Sequence, residues 1–373
     1  MQRERLLSRT GPLRTVAFTV AVVAGLFNIF GLNVYPVEAF ILRATFVFAC
    51  SVIAFIVYPA RKSNPEQVGA YDLLLVILSS FVYVYTVTNY EGLLERTGVL
   101  WITPDIIAGV VLCFTLLELA RRTMGLALPI LASVLFCYAI WGSYLPGILG
   151  HPGFDVDRVI SYVYSLDGIF GTPVGVSVTY VFVFVLFGAL MELSGGAKVL
   201  MDVAVSLTGR SHGGTAKIAI VGSSFFGTLN GSPAANVMAT GTFTIPLMKK
   251  SGYQPAFSGA VEAAASTGGQ ILPPIMGASI FIMMDILGTD YASIAKAAII
   301  PALLYYAGVF WMVDLEARRT GLRGLPEDEI PRPWEVLKER GYLLIPILVL
   351  NPMIQRRATA LVSLTVRTLL HVA

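Results

Sequence analysis

Two short stretches of this chain carry residue types that could do chemistry within an otherwise apolar sequence. The first is Asn230-Gly231-Ser232-Pro233 and the second is Thr267-Gly268-Gly269-Gln270-Ile271-Leu272-Pro273-Pro274. Each interrupts an apolar run and sets helix-breaking Gly or Pro beside neutral oxygen donors. Proline has no amide and clashes with the preceding turn, so no continuous helix is expected through the second stretch. Breaks of this kind leave carbonyls and helix ends without partners. Carbonyls together with Ser, Thr and Asn oxygens suit a small hard cation such as Na⁺, and helix N-termini aimed at the same place suit an anion. Thr228, Asn230, Ser232, Asn236, Ser266, Thr267 and Gln270 supply neutral oxygens near the two breaks. No carboxylate stands at either break, so a cation site there is expected to be built from neutral dipoles. The bland alternative is that small residues pack helices together while Ser and Thr bond to nearby backbone. Two adjacent polar interruptions, each between short arms, favour the functional reading.

The elements that position these stretches follow from the apolar runs. Runs near the spanning length of about 20 residues occur at 15–33, 38–58, 71–90, 104–120, 125–145, 174–192 and 291–313. Arg3, Arg5, Arg9 and Arg14 precede the first run, Arg61 and Lys62 follow the second, and Arg121 and Arg122 follow the fourth. The excess of positive charge on the cytoplasmic side places the N-terminus in the cytoplasm. No small-residue cleavage site closes the first run, which reads as a retained helix. Residues 151–177 read as an external loop with an interfacial helix, and 197–209 as an amphipathic stretch at the cytoplasmic interface. The arms 215–229 and 234–248 are short for a span and are flanked by Arg210, Lys217, Lys249 and Lys250. They predict a re-entrant hairpin entering from the cytoplasm, with its tip near the bilayer midplane. Residues 255–266 and 275–287 predict two half-helices of one broken membrane helix, and 316–340 a polar cytoplasmic loop. A final apolar run opens at Tyr342.

Composition agrees. Of 373 residues 56% are hydrophobic and 13% charged, which no single soluble core of this length could accommodate. A net charge of +3 is too small to suggest nucleic acid as a partner. Cys50, Cys113 and Cys137 lie in apolar runs and read as buried small hydrophobes, without disulfide or metal spacing. His151, His212 and His371 are scattered. A membrane-embedded enzyme needs paired catalytic groups at depth, and none is present, so the chain is not expected to be an enzyme or to need a cofactor beyond a coupling ion. No G-x-x-x-x-G-K-[ST] loop occurs, which argues against an ATP-driven pump.

Several charged residues have ordinary explanations. Arg43, near the outer end of its run, can snorkel to the interface. Glu118 stands three and four residues before Arg121 and Arg122 and is expected to pair with them. Asp285 and Asp290 flank the outer end of the second half-helix. Glu262 either faces the transport cavity with Ser258 and Ser266 or sits at the interface near Lys250.

The stretch from Val221 to Pro301 resembles the large membrane subunit of TRAP (tripartite ATP-independent periplasmic) transporters. The resemblance is carried by 227–236 (GTLNGSPAAN), 241–253 (GTFTIPLMKKSGY) and 263–277 (AAASTGGQILPPIMG). The N-terminal spans look like those of the fused type, in which small and large membrane subunits share one chain. The wording TGGQI and IMGA looks like the branch served by TAXI-type binding proteins. The resemblance implies an all-α, polytopic membrane protein holding the first half of an inverted-repeat, ion-transporter-like architecture. It implies Na⁺-coupled uptake of an organic anion handed over by a periplasmic solute-binding protein at the bacterial inner membrane. It further implies that hairpin tip and broken helix bound one Na⁺ site and half the substrate site. On that basis the site comprises Asn230, Gly231, Ser232, Asn236, Gly268, Gly269, Gln270 and Pro273, with Thr228, Ser266 and Thr267 beside them. The family usually has Ser-Gly-Ser at the tip, where this chain has Asn230-Gly231-Ser232. The implied organisation is a small-subunit-like region with linker at 1–125, a transport region at 126–350 and an atypical basic tail at 351–373, which reads as a C-terminal truncation. The other reading of such a chain is a non-transporting membrane scaffold.

Overall fold

The computed structural model describes residues 12–60, 69–96 and 101–345. Arg3, Arg5, Arg9, Arg61, Lys62 and the tail after 345 lie outside those residues. The described chain is helical throughout, and seven of its helices are long and apolar enough to cross a membrane. They are Thr15–Leu32, Ala39–Val57, Ala70–Thr88, Thr103–Met124, Ala127–Tyr144, Thr172–Leu193 and Tyr291–Thr320. Each overlays one of the seven apolar runs read from the sequence. The protein is therefore an all-α, multi-pass membrane protein. The chain forms two compact units, Met1–Val178 and Thr179–Ala373.

In the first unit α1 (Pro12–Asn33), α2 (Ala39–Val57), α3 (Ala70–Thr88), α4 (Tyr90–Arg96), α5 (Thr103–Met124), α6 (Ala127–Trp141) and α7 (Val156–Val163) follow in order. Their starts and stops are chemical. The Glu38 carboxylate accepts from the amides of Phe40 and Ile41 at the start of α2. Pro104 stands in the first turn of α5, where a missing amide costs nothing, and Gly125 ends that helix. Phe40, Ala44, Val82, Leu93, Ala108, Leu112, Tyr164 and Phe170 form the core. The outward faces of α1, α3 and α6 expose Phe18, Leu26, Leu73, Ile77, Leu131 and Leu135, as a bilayer-facing surface should.

Buried charges in this unit are paired. Arg122 donates to Glu118 at 2.8 Å, to Asp72 at 2.7 Å and to the Tyr58 carbonyl at 2.9 Å, while Arg121 holds the other face of Glu118. The expected local pair is present, and Asp72 extends it into a cluster that joins α3 to α5. Asp105 is fully buried and takes a two-pronged bond from Arg96, at 2.8 and 3.0 Å. Arg43 does more than reach for water: its Nη1 donates to the Phe170 carbonyl at 2.7 Å.

The second unit contains α9 (Phe182–Leu193), which continues α8 (Thr172–Val176) through a π-helical turn at Ser177–Val181. There follow α10 (Gly196–Thr208), α11 (Gly214–Asn230), α12 (Pro233–Lys250), α13 (Pro255–Gly268), α14 (Ser279–Leu287), α15 (Tyr291–Thr320) and α16 (Pro333–Arg340). Helices α11, α12 and α13 pack on one another, and α15 lies against α11 and α13. Ala216, Ala219, Ile220, Met248, Tyr253, Val261, Ala265, Val313 and Ala317 form their shared core. Lys217 of α11 meets Asp314 of α15 at 2.5 Å, so one charge expected to flank the hairpin is buried in a pair instead. Helix α16 falls inside the stretch read as a polar loop.

Asp290 caps α15, accepting from the Ser293 hydroxyl at 2.6 Å and its amide at 3.1 Å. These bonds, the hydroxyl's first, hold its carboxyl below the usual range. A lowered folded pKa stabilises above the unfolded pKa, and that gain is lost as pH falls through the folded value. Thermal melting of Asp290→Asn against the parent should therefore show a difference that is constant at neutral pH and shrinks in acid. A difference independent of pH counts against the charged cap.

Candidate functional site

The site begins with two helices joined by two residues. Gly231 ends α11 at φ 59°, a left-handed conformation that glycine adopts without penalty. Ser232 then caps α12, its hydroxyl accepting from the Ala235 amide at 3.4 Å, and Pro233 takes the first helical position. The sequence Asn-Gly-Ser-Pro thus encodes a stop, a turn, a cap and a restart in four residues. The two arms pack along each other as a helical hairpin. The arms have 17 and 18 residues, longer than the sequence suggested, and neither is among the seven spanning helices.

The broken helix is built next. Helix α13 ends by tightening: the amides of Gly269, Gln270 and Ile271 bond three residues back, each at 3.2 Å. The chain then runs through Pro273 and Pro274, and the Gly277 amide closes the loop on the Gln270 carbonyl at 2.7 Å before α14 begins. Because Gly269 bonds to Ser266, the Ala265 carbonyl loses its helical partner. The Tyr306 hydroxyl takes it at 2.9 Å, and Tyr305 reaches Ala264 at the same distance. The loop is anchored further by Tyr291, whose hydroxyl donates to the Pro274 carbonyl. Helix α14 is fixed by Phe281, which stacks on Tyr180 and Tyr291. Tyr306→Phe should leave a buried carbonyl unpaired and lower stability by about 1–2 kcal/mol. Denaturation of the purified protein measures this, and an unchanged midpoint refutes the anchoring role.

Tip and break touch backbone to backbone. A Cβ on Gly227 would lie 2.6 Å from the Gly269 Cα, and one on Gly269 would lie 2.6 Å from the Gly227 Cα. Gly231 approaches the Met276 carbonyl so closely that no side chain fits. Met276 itself is held at φ 63°, a strained conformation for a side-chain-bearing residue, and is buried. Strain at this junction is maintained by the packing around it.

The predicted site residues divide into two groups. Gly231, Gly268, Gly269, Gln270 and Pro273 lie along the junction, with Ser232 at the hairpin turn. Gly268 is pressed against the rings of Tyr305 and Tyr306. The side chain of Asn230 lies outside the described residues. Thr228 and Thr267 hydrogen-bond to their own helices, at the carbonyls of Phe225 and Ala263, both at 2.7 Å. Asn236 and Ser266 join a second polar cluster that sequence reasoning underweighted, while the Asn236 Nδ2 also stands beside Gly227, 3.2 Å from where its Cβ would lie. At its centre is Glu262, fully buried in α13. Its Oε1 meets the hydroxyls of Thr240 at 2.5 Å, Ser223 at 2.9 Å and Ser266 at 3.2 Å, and its Oε2 meets Thr244 at 2.5 Å. Asn236 donates to the Ser223 carbonyl at 2.7 Å and faces Thr240 at 3.3 Å. Glu262 is enclosed by protein and is not exposed at a surface. The spacing of Thr240 from Thr244 and of Glu262 from Ser266, four residues each on one helix face, was the available signal.

The site thus belongs to a multi-pass helical membrane protein in which a helical hairpin packs on a broken helix. The chain belongs to the family described as "Tripartite ATP-independent periplasmic transporter, DctM component", which it matches over residues 111–370. That range runs past the described residues into the basic tail. The chain is 31% identical over 173 residues to the C4-dicarboxylate TRAP transporter large permease protein DctM of Pseudomonas aeruginosa, covering 45% of this chain and 39% of that one. It is 30% identical over 173 residues to the isethionate TRAP transporter permease protein DctMQ of Oleidesulfovibrio alaskensis, covering 45% and 26%. It is 27% identical over 177 residues to the sialic acid TRAP transporter large permease protein SiaM of Vibrio cholerae, covering 47% and 41%. The chain thus spans from about a quarter to two fifths of the length of these relatives.

Proposed function

We propose that this chain is the permease of a Na⁺-coupled secondary TRAP transporter that takes up an organic carboxylate delivered by a periplasmic, TAXI-like binding protein. The observation that carries the reading is the backbone contact of the hairpin with the broken helix, Gly227 on Gly269 and Gly231 on Met276. It gathers carbonyls, the N-terminus of α12 and neutral side-chain oxygens in one place, which suits a hard cation beside an anion. The names of the relatives point the same way, since C4-dicarboxylates, isethionate and sialic acid are all organic anions. In this reading the hairpin is re-entrant, and it forms half of an inverted-repeat site in the bacterial inner membrane with the N-terminus cytoplasmic. Asn230, Gly231, Ser232, Gly268, Gly269, Gln270 and Pro273 surround ion and substrate, and the first 125 residues act as a fused small subunit with linker.

The test is uptake of labelled C4-dicarboxylate into proteoliposomes under an imposed Na⁺ gradient, with and without a cognate binding protein. The 373-residue chain is compared with a version extended to the length of its relatives. Na⁺-dependent uptake by either version supports the reading, and uptake by the longer one alone identifies this chain as part of the transporter. Uptake by both without Na⁺ refutes the coupling ion, and uptake by neither, with both folded, favours a non-transporting scaffold.

A further inference from the structure

Glu262 poses a question of charge. It sits in α13 six residues before Gly268, about 9 Å along the helix from the break. The elements packed on α13 are α11, α12 and α15. Their charged residues are Lys217 on α11, Lys249 and Lys250 on α12, and Lys296, Asp314, Glu316, Arg318 and Arg319 on α15. Lys217 is committed to Asp314, which also holds Arg318, and Arg319 pairs with Glu316. Lys249, Lys250 and Lys296 are not buried. The hydroxyls of Tyr305 and Tyr306 are spent on backbone carbonyls. Among the described residues no cation bonds to Glu262. A carboxylate buried without a positive partner is strongly disfavoured, more so at membrane depth.

What surrounds Glu262 is oxygen. Four hydroxyls, from Ser223, Thr240, Thr244 and Ser266, converge on its two carboxylate oxygens, and all five residues are almost completely buried. Six hard oxygens from three helices, with no sulfur or imidazole, suit a small hard cation. There is one carboxylate, and no cluster of three or more His, Cys, Asp or Glu occurs among the described residues, so the charge balance calls for a single positive charge. The hydroxyls are also able to switch. With no cation present they donate to the carboxylate. To face a cation their lone pairs must turn inward and their protons outward. Acceptors stand ready: Thr240 lies 2.9 Å from the Asn236 carbonyl and Thr244 lies 3.1 Å from the Thr240 carbonyl.

We propose that Glu262, Ser223, Thr240, Thr244 and Ser266 form a second site, beside the one expected at the hairpin tip, that takes one Na⁺. The site would add a carboxylate-centred position to the neutral-dipole site expected at the breaks. Because it joins both hairpin arms to the first half-helix, its occupancy sets how firmly they are held together. That coupling role rests on the permease reading, whereas binding itself does not.

The experiment uses the purified 373-residue chain in lipid nanodiscs. Equilibrium binding of radiolabelled Na⁺ is measured for the parent, E262Q and Thr244→Val, with choline replacing Na⁺ to hold ionic strength. E262Q should bind one Na⁺ fewer, and Thr244→Val should weaken that ion about tenfold. Should E262Q not fold, the Thr244→Val result decides. The proposal is overturned if neither variant alters Na⁺ binding. Failure of the permease reading would look different, with binding intact and no uptake.

Discussion

Gly231→Ala should be among the most damaging single substitutions in the second unit, lowering stability by about 3–5 kcal/mol. Two costs combine. A side chain at φ 59° is strained by about 1–2 kcal/mol, and its Cβ meets the Met276 carbonyl, which belongs to backbone and cannot swing aside. Gly288→Ala separates the two. Gly288 also has a positive φ, of 60°, but a Cβ there meets nothing within 4 Å. It should cost only the strain. Melting of both variants, purified in the same detergent, measures the difference. If the two fall equally, the tip does not press on the break.

Arg122→Met should cost about 3–5 kcal/mol in the first unit, for a different reason. The Arg122 side chain is 2% exposed, and Asp72 opposite it is 3% exposed. Removing the guanidinium strands Asp72 at 3.0–3.1 Å from the amides of Gly69 and Ala60, without its positive partner. It also removes a cation that lies over the rings of Phe55 and Tyr71. Glu118 keeps Arg121 and is the lesser loss. Arg121→Met is the control: that side chain is 42% exposed, and its loss should cost about 1 kcal/mol or less. Denaturant titration of both variants tests the pair. An Arg122 variant no worse than the Arg121 variant contradicts the buried cluster.

The parts legible in the sequence are those set by local rules. Hydrophobic runs of spanning length gave the seven long helices, because bilayer thickness fixes length and composition together. Gly231, Pro233, Gly269 and Pro273 marked the hairpin and the break, because backbone chemistry acts where it is written. The illegible parts depend on which helix faces which. Glu262 finds Ser223 and Thr240 at separations of 39 and 22 residues, and Arg122 finds Asp72 at a separation of 50. No local period encodes those partners. Asn236 and Ser266 were grouped with the breaks by proximity in sequence, and what that grouping did not show is their bonds to the Ser223 carbonyl and to Glu262. Helix α16 was missed because eight residues, four of them charged, are too few to carry a periodic signal.

The most direct test of the central claim asks whether hairpin tip and break line a water-filled site for ion and substrate. Cys50, Cys113 and Cys137 are first replaced by Ala to give a background without thiols. Ser232→Cys and Gln270→Cys are then introduced singly, and labelling by a membrane-impermeant thiol reagent is followed with and without Na⁺ and a C4-dicarboxylate. The account predicts that both cysteines react and that Na⁺ with the carboxylate slows labelling at both, while a cysteine in place of Leu131 on the lipid-facing side of α6 is indifferent. Labelling at Ser232→Cys and Gln270→Cys that Na⁺ and carboxylate leave unchanged would contradict it.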